Sequence, residues 1–393
     1  YRPPFPPEAA RRTSSLSSWQ APIFVNVAKL SIYTKHNKVI GMKQKQVVRF
    51  DVWYDSILEQ RFAQEADIRL VTVKRQGEDR AALEALASAH VYLITAAKDE
   101  LPKAWWAHEK LIDQCPQLLC VSSSGAGFDT VDVEACTKAG IAVLNQSGCN
   151  ARSVAEHAIG LMLGLSHRLG EGDRMLRSAD RSFSREDLMG SELGGKTLGI
   201  VGIGMVGREL AKLAHAFDMH VVAYDPLLNP LTIRERGAEA VSLEALLATS
   251  DIVSLHCPRD ASSIGMFNEQ RFAAMKPGAW FISTARGGIH DEAALHQALV
   301  QGKLAGAGLD VWDHEPPPFD HPLVQHPRVI SSFHTAGVTK QARYRAALWG
   351  AEQVIDFLCG VRPPRLVNPE VWPKLESRLA KAMNAYGWAR KSI

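Results

Sequence analysis

Short apolar runs alternate with longer helical patterns along most of the chain, and no other feature restricts the fold as strongly. Strands interleaved with helices in this way form parallel sheets that helices cover on both faces. The first series of apolar runs predicts strands over 47–52, 68–73, 91–95, 118–122 and 141–144. The second series predicts strands over 197–201, 220–224, 251–255, 279–283 and 304–309. The sequence therefore predicts an α/β protein with two doubly wound parallel-sheet domains.

Length and charge narrow the class of protein. A chain of 393 residues is too long for one ordinary hydrophobic core, which predicts two domains. The formal net charge is only +3, and acidic and basic residues are spread along the body, so nucleic acid and membrane are not expected partners. No apolar run approaches the roughly 18 residues of a membrane helix.

Six cysteines add a further constraint, and they occur at positions 115, 120, 136, 149, 257 and 359. None of their spacings is a CxxC pair, and none combines with histidine in the way that a metal site requires. We interpret these cysteines as reduced thiols of a cytoplasmic protein, and we expect no metal site.

The first 41 residues differ from the rest of the chain. They contain one acidic residue, Glu8, against six Lys or Arg, together with five Pro and five Ser. Because they show no strand or helix period, residues 1–41 are predicted to form a disordered extension. Two interpretations remain open: translation that began upstream of a true start at Met42, and an organellar presequence. The first is favoured because the prolines at positions 3, 4, 6 and 7 would break an amphipathic helix.

A glycine-rich turn joins the first strand of the second series to the helix that follows it. Gly202 permits a tight turn, Gly204 lets the backbone approach a pyrophosphate, and Gly207 lets the helix pack on the strand. The N–H groups near Met205 and Val206 would face the phosphates from the helix N-terminus. Because a strand precedes the turn and a helix follows it, the turn predicts a dinucleotide site rather than a corner without a ligand.

The next predicted strand ends at an acidic residue, Asp225, which lies 18 residues after Gly207. A carboxylate at this position accepts hydrogen bonds from the hydroxyls of the adenosine ribose and repels a 2′-phosphate. The predicted cofactor is therefore NAD rather than NADP. The alternative interpretation of Asp225 is an acid that only opens the following loop.

Several motifs occur in a fixed order, at 150–158, 192–207, 254–258, 285–295, 308–316 and 334–337. Together they resemble the D-isomer-specific 2-hydroxyacid dehydrogenase family, which includes phosphoglycerate, glycerate and D-lactate dehydrogenases. The resemblance covers roughly residues 47–368 and implies a Rossmann-type NAD domain inserted into a flavodoxin-like substrate domain. The implied boundaries are 42–149 and 334–368 for the two parts of the substrate domain and 150–333 for the NAD-binding domain. Residues 1–41 form the extension and 369–393 a C-terminal tail, and ProPro at 363–364 and the basic residues near the end indicate that the chain is peripheral after about residue 361.

The resemblance implies a catalytic role for three residues. Arg286 would bind the carboxylate and carbonyl oxygen of the substrate, because its guanidinium can grip a carboxylate at two points. His334 would act as acid and base, protonating the carbonyl oxygen as a hydride arrives from the nicotinamide. Glu315 would hydrogen-bond the far ring nitrogen of His334 and favour the imidazolium. Taken singly, each residue has an alternative interpretation: Arg286 as a surface arginine, His334 as a core histidine and Glu315 as a solvated acid in a loop.

Further residues follow from the same resemblance. Beyond the glycine turn and Asp225, the implied cofactor contacts are His256, Cys257, Pro258, Thr284, Ala285, Arg286, Asp310 and His334. The implied substrate contacts are Ala97, Lys98, Ser124, Gly125 and Arg286. For Asp310 the alternative interpretation is a strand-end cap, and for Lys98 it is a solvated surface lysine.

The sequence as a whole predicts an NAD-dependent oxidoreductase that interconverts a D-2-hydroxy acid and its 2-oxo acid. The substrate remains open among glyoxylate or hydroxypyruvate, phosphohydroxypyruvate and larger 2-oxo acids. A homodimer is expected by analogy with the family, with a buried helix predicted over 153–168 in the interface and Ser153 as its N-cap. The alternative function is an NAD-sensing scaffold protein similar to the related transcriptional corepressors.

Overall fold

The computed structural model describes residues 44–179 and 182–388. The predicted extension 1–41 lies outside the described residues. Within the described part of the chain, no helix is both long enough and apolar enough to cross a membrane.

The first sheet is parallel and is built from the segment that the first series of apolar runs predicted. Its strands are β1 (Lys45–Phe50), β2 (Ile68–Val73), β3 (Val91–Ile94), β4 (Cys120–Ser123) and β5 (Ala142–Leu144). Their order is β2-β1-β3-β4-β5, which is the flavodoxin-like order. Adjacent residues Val47 and Val48 point to opposite faces and both are fully buried, because elements cover the sheet on both sides.

Four helices of this domain precede the second sheet. They are α1 (Ile57–Phe62), α2 (Asp79–Ala87), α3 (Glu109–Ile112) and α4 (Val133–Ala139), with a short 3-10 helix over Lys103–Trp105. Helix α4 begins at the capping residue Asp132, whose carboxylate accepts a hydrogen bond from the Ala135 N–H. It ends at Gly140, whose left-handed backbone (φ 72°) stops the helix and turns the chain into β5.

The second sheet is also parallel and has seven strands. They are β6 (Thr197–Val201), β7 (His220–Tyr224), β8 (Glu239–Ala240), β9 (Ile252–Leu255), β10 (Ala279–Ser283), β11 (Leu304–Leu309) and β12 (Val329–Ser331). Their order is β12-β11-β10-β9-β6-β7-β8, the Rossmann order extended by one strand. The strand order reverses between β6 and β9, and ligands of such sheets bind outside the carboxyl ends of the strands at that point. The predicted fold class is confirmed.

The helices of the second domain connect these strands in sequence. They are α5 (Ala151–Ser166), α6 (Leu169–Arg177), α7 (Met205–His215), α8 (Pro230–Glu235), α9 (Leu243–Thr249), α10 (Glu269–Ala274), α11 (Glu292–Val300) and α12 (Pro322–Gln325), with a 3-10 helix over Glu186–Leu188. Helix α7 follows the glycine turn directly and packs against β6 and β7. The N-terminus of α7 therefore lies at the point where the strand order reverses.

The start predicted for the first of these helices is wrong. Helix α5 begins at Ala151, not after Ser153, and Ser153 makes no capping bond. Its hydroxyl instead lies 2.8 Å from the Thr339 hydroxyl, which belongs to the segment that returns to the first domain. The apolar side chains of α5 pack in the core of the second domain, with Met162 fully buried.

The chain then returns to the first domain through α13 (Lys340–Leu358). This helix packs on β1 and α1 side chains in one core cluster, in which Ala351, Val354 and Phe357 are fully buried. The same cluster contains Leu375, Leu379 and Met383 from α14 (Trp372–Tyr386), which follows a 3-10 helix over Pro369–Val371. The expectation of a peripheral tail after residue 368 is therefore wrong for residues up to Trp388. An apolar residue at every fourth position is the helical period that gives α14 a buried face.

Candidate active site

One cleft of about 700 Å³ is bordered by the carboxyl ends of strands from both sheets. The first domain lines it with the loops that follow β3 and β4, and the second domain lines it with the loops that follow β9, β10 and β11. Of the predicted site residues, those that line this cleft are Ala97, Ser124, Gly125, Val206, His256, Cys257, Pro258, Thr284, Ala285, Arg286, Asp310, Glu315 and His334. Residues separated by more than two hundred positions in the chain thus share one crevice.

His334 and Glu315 form a hydrogen-bonded pair in the cleft. The Nδ1 atom of His334 lies 2.8 Å from Oε2 of Glu315, and the second carboxylate oxygen accepts the Trp312 N–H at 3.2 Å. Because Glu315 engages Nδ1, the other ring nitrogen, Nε2, is the one available to a substrate. The His334 side chain is 40% exposed, which is enough for a ligand to reach it.

The carboxyl group of Glu315 stays ionised in this setting. Partial burial acts to raise its pKa, but the hydrogen bond and the charge of His334 outweigh burial, and the Trp312 N–H and the Arg286 charge act in the same direction. The net pKa of Glu315 is therefore lowered. A carboxylate that keeps its charge stabilises a positively charged imidazole beside it.

The backbone of His334 adopts a left-handed conformation (φ 47°) that a non-glycine residue reaches only with support. The support comes from Asp310, whose carbonyl accepts the His334 N–H at 2.7 Å. The Asp310 carboxylate also accepts the N–H groups of Thr335 and Ala336, both at 2.9 Å. Ser332 donates to the same carboxylate at 2.6 Å. Asp310 therefore holds the loop that presents His334, in agreement with the strand-end cap interpretation.

Arg286 enters the cleft from the loop that follows β10. Its Nε donates to Oδ2 of Asp129 at 3.1 Å, and its Nη1 donates to the Ala285 carbonyl at 2.7 Å. The next position in this loop requires glycine, because a Cβ on Gly287 would collide with the Trp312 carbonyl. The guanidinium is thereby fixed at its base, while its outer nitrogens remain in the cleft.

The glycine turn has the shape that a dinucleotide requires. Gly202 has a φ of 89°, and a Cβ there would collide with the Cys257 backbone; a Cβ on Gly207 would collide with the Gly202 carbonyl. A Cβ on Gly204 would meet nothing within 4 Å, so its backbone faces open space. Gly204 is also the N-cap of α7 and supplies no side-chain cap, so the first N–H groups of the helix, including those of Met205 and Val206, can bind an anion. These residues fit a pyrophosphate.

Asp225 lies beside this turn, at the end of β7. Its Oδ2 accepts the Ile203 N–H at 3.1 Å, and its Oδ1 accepts the Leu227 N–H at 3.1 Å. Each oxygen keeps a lone pair for a ribose hydroxyl. The carboxylate is therefore preoriented at the place where the adenosine ribose of a dinucleotide on this turn would lie.

The second histidine and the two thiols of the cleft are held neutral by burial. Burial lowers the pKa of His256 to about 3, and its ring nitrogens face the hydroxyls of Ser254 and Thr284 at 2.8 and 3.3 Å. Burial raises the pKa of the Cys257 and Cys149 thiols to about 11. Neither an imidazolium at position 256 nor a thiolate is available near neutral pH.

The structure does not bring Lys98 to the cleft. Its ammonium lies 6.0 Å from the centre of the Trp106 ring, and the neighbouring residues Asp99 and Glu100 line the cleft in its place. The surface-lysine interpretation of Lys98 agrees with this position. Ala97, Ser124 and Gly125 do line the cleft, and a Cβ on Gly125 would touch only Ala96 at 3.4 Å.

Besides Asp99 and Glu100, three further charged residues of the cleft were missed by the sequence analysis. Asp129 follows β4, Arg259 follows β9, and Arg343 lies in the first turn of α13. For Asp129 and Arg259 a usable signal existed, because polar residues just after parallel strands converge at one edge of a sheet. For Arg343 we find no such signal, since its helix reaches the cleft only through the return of the chain to the first domain.

Comparison with known proteins agrees with this architecture. Residues 159–336 match the family described as D-isomer specific 2-hydroxyacid dehydrogenase, NAD binding domain. D-3-phosphoglycerate dehydrogenase of Archaeoglobus fulgidus is 38% identical over 265 residues, which cover 67% of this chain and 50% of that protein. Glyoxylate reductase of Thermofilum pendens is 38% identical over 272 residues, which cover 67% of this chain and 78% of that protein. The structure of D-lactate dehydrogenase from Aquifex aeolicus, complexed with NAD and lactic acid, has 28% identity and a TM-score of 0.69, covering 80% of this chain and 96% of that one.

The chain spans about half the length of the phosphoglycerate dehydrogenases that it matches. It covers 78% of the glyoxylate reductase at the same level of identity, so the likeness extends over most of that protein. The matched segment contains the glycine turn, Asp225, Arg286 and His334. The chain therefore belongs to the D-isomer specific 2-hydroxyacid dehydrogenase family, and its second domain is the NAD-binding domain of that family.

Proposed function

We propose that this chain is an NAD-dependent oxidoreductase that interconverts a D-2-hydroxy acid and its 2-oxo acid. The observation that carries the proposal is the His334–Glu315 hydrogen bond in a cleft that Arg286 also lines. An acid, the carboxylate that tunes it and a guanidinium are the groups that reduction of a 2-oxo acid needs beside a hydride source. Names of the relatives as dehydrogenases and reductases support an enzyme over the corepressor-like scaffold.

Each residue has a definite task in this reaction. The outer nitrogens of Arg286 and the backbone N–H of Gly125 bind the substrate carboxylate. The expected second amide, that of Ser124, is not free for this task, because it donates to the Ile94 carbonyl at 2.8 Å. When bound, NADH supplies the hydride to the carbonyl carbon. His334 gives the proton on Nε2 to the carbonyl oxygen, and Glu315 stabilises the charge that the imidazole carries before this transfer. Oxidation of the hydroxy acid is the reverse, with His334 as the base.

The lining of the cleft supports a short substrate without a second negative charge. Asp99 and Glu100 line the cleft where the sequence predicted Lys98, and Arg343, which also lines it, lies 3.8 Å from Glu100. A phosphate beside this loop would meet two carboxylates and an arginine that one of them already engages. Glyoxylate and hydroxypyruvate avoid this repulsion, so we propose substrates of this kind rather than phosphohydroxypyruvate.

A panel of 2-oxo acids tests both parts of the proposal. We expect NADH oxidation, followed at 340 nm, with glyoxylate and hydroxypyruvate, and a kcat/KM at least about tenfold lower with phosphohydroxypyruvate, which corresponds to 1.4 kcal/mol of repulsion. The same protein without a 2-oxo acid is the control. If no member of the panel were reduced, the reaction class would be wrong; a preference for the phosphorylated acid would contradict the substrate class alone.

The cofactor preference provides a separate prediction. Asp225→Ala removes the acceptor for the ribose hydroxyls and the charge that repels a 2′-phosphate, so the ratio of kcat/KM with NADH to that with NADPH is expected to fall by about 10- to 100-fold. Glu239→Ala is the matched control, because Glu239 is an exposed acid on a neighbouring strand of the same sheet. A ratio unchanged from the wild type would mean that another residue discriminates.

We also propose that the chain forms a homodimer and works in the cytoplasm. Helix α5 is largely buried in its own domain, but Leu169 and Leu176 on α6 are 60% and 59% exposed, and Met189 is 70% exposed. Apolar side chains seven positions apart lie on one face of a helix, so a second copy offers them a partner. Buried thiols at Cys115, Cys120 and Cys136 support a reducing compartment. Light scattering of the purified protein measures the oligomeric state.

A further inference from the structure

Asp129 contacts the opposite wall of the cleft. It belongs to the loop between β4 and α4 of the first domain, and both of its carboxylate oxygens bind arginines of the second domain. Oδ1 accepts Nη2 of Arg259 at 3.2 Å, and Oδ2 accepts Nε of Arg286 at 3.1 Å. We call these three side chains the Asp129 bridge. It joins the two domains directly beside the catalytic groups.

The loop that carries Asp129 is fixed to its own domain on both sides. The Ser123 hydroxyl donates to the Gly127 carbonyl at 2.6 Å, and the Asn145 amide donates to the Ala126 carbonyl at 2.9 Å. Immediately after Asp129, the fully buried Thr130 donates its hydroxyl to the Thr95 carbonyl at 2.6 Å. The position of the Asp129 carboxylate is therefore set by contacts within the first domain and not by the arginines that it binds.

The environment distinguishes the Asp129 bridge from a surface ion pair. The side chains of Asp129, Arg286 and Arg259 are 21%, 28% and 34% exposed. A Cβ on Gly127 would collide with Nη2 of Arg286, so the guanidinium lies directly over the backbone of the loop. Partly buried and geometrically constrained pairs keep far more of their interaction energy than solvated ones.

The bridge selects which edge of Arg286 a substrate meets. A guanidinium grips a carboxylate either through Nε with one Nη or through its two Nη atoms. Because Asp129 engages Nε and the Ala285 carbonyl engages one proton of Nη1, the substrate is left with the end formed by the two Nη atoms. Nη2 faces the backbone of Gly127, two residues after Gly125 in the same loop.

We propose that Asp129 is a positioning residue that orients Arg286 for the substrate carboxylate and holds the two domains together across the cleft, with Arg259 as its second anchor. The orienting role rests on the function proposed above. Within the bridge, one carboxylate between two guanidinium groups leaves a single positive charge uncompensated. That charge matches the one carboxylate of a short 2-oxo acid.

The variant Asp129→Asn tests the orienting role while preserving the size of the side chain. We expect kcat/KM for the best 2-oxo acid to fall by about 100-fold, mainly through KM, because the guanidinium is displaced from the carboxylate. The Kd for NADH should stay within about twofold, since the glycine turn is untouched. Asp129→Glu should recover part of the loss, and Asp113→Asn, an exposed acid of the same domain, is the matched control.

Coupling between residues separates orientation from general damage to the fold. Arg259→Met removes only the second anchor, so it should cost less than Asp129→Asn, and adding it to Asp129→Asn should cost almost nothing more. Independent, fully additive losses would overturn the proposal. So would a kcat/KM for Asp129→Asn within about twofold of the wild type.

Small-angle X-ray scattering tests the bridge without any turnover. The wild type and Asp129→Asn are compared at matched concentration without cofactor, and the variant is expected to have the larger radius of gyration because its domains are no longer held together. Identical radii would overturn the domain-holding role. If the wild type reduced no 2-oxo acid, the proposed function would fail while this measurement still decided whether the bridge exists.

Discussion

Replacing His334 by glutamine is expected to lower kcat for 2-oxo acid reduction by about 10²–10⁴-fold, the range that a positioned proton donor contributes. Glutamine retains much of the volume and can still hydrogen-bond Glu315, but it cannot pass a proton to the carbonyl oxygen. His256 and Cys257, which also line the cleft, do not replace it, because burial keeps the His256 imidazole without an acidic proton near neutral pH and raises the pKa of the Cys257 thiol to about 11, which makes it a very weak acid. Steady-state NADH oxidation measures the effect.

Two comparisons establish that the loss belongs to the proton transfer. NADH titration by fluorescence should give a Kd within about twofold of the wild type, because the glycine turn and Asp225 lie outside the change. His220→Gln, at an exposed histidine at the start of β7, should leave kcat unaltered. Turnover by His334→Gln at the wild-type rate would remove the acid–base role from this residue.

Arg286→Lys is expected to raise KM and lower kcat together, with kcat/KM reduced by at least about 30-fold. That factor corresponds to 2 kcal/mol, the lower end of the cost of removing one partner of a desolvated charge pair. Lysine keeps the charge, but its single ammonium group cannot donate two parallel hydrogen bonds to a carboxylate as the planar guanidinium does. It also loses the Nε contact with Asp129, so the new ammonium is not held towards the carboxylate-binding loop.

The control for this substitution is Arg80→Lys, at an arginine 88% exposed in its side chain, which should behave as the wild type. The melting temperature of Arg286→Lys reports whether the cleft contact affects stability. An unchanged KM with a reduced kcat would contradict carboxylate binding, because that role requires the ground-state complex to weaken as well.

Local sequence rules were sufficient for the sheets and for the cofactor turn. The strands Ile68–Val73, Thr197–Val201, His220–Tyr224, Ala279–Ser283 and Leu304–Leu309 match their predicted limits. Buried parallel strands give continuous apolar runs, and the steric demand at Gly207 comes from the Gly202 carbonyl within the same strand–turn–helix unit. Information of this kind lies within a short window of sequence.

Two features that depend on distant segments were not predicted. The Asp129 bridge requires loops from two domains at one place, and no spacing along the chain reports that. Ser153 is a residue type that caps helices, and Glu156 follows it at the three-residue spacing of a capping box. The Ser153 hydroxyl nevertheless hydrogen-bonds the Thr339 hydroxyl of the returning segment instead. In both cases a contact between segments that are distant in the chain determines the local structure.

Helix α14 is a different kind of error, because its signal was present. Leu375, Leu379 and Met383 recur every four residues and bury one face of the helix against the first domain. The prolines and basic residues near this segment are typical of a peripheral tail, and the prediction of such a tail rested on them. Proline at the first turn of a helix is compatible with the helix, since its missing N–H would have no partner there.

The most direct test is a crystal structure of the protein with NADH and oxamate, an unreactive analogue of a 2-oxo acid. The oxamate carboxylate should contact both Nη atoms of Arg286 and the backbone N–H of Gly125. Nε2 of His334 should lie within about 3.2 Å of the oxamate carbonyl oxygen, with Nδ1 still on Glu315. Oxamate bound away from Arg286, or His334 turned out of the cleft in the complex, would contradict the account.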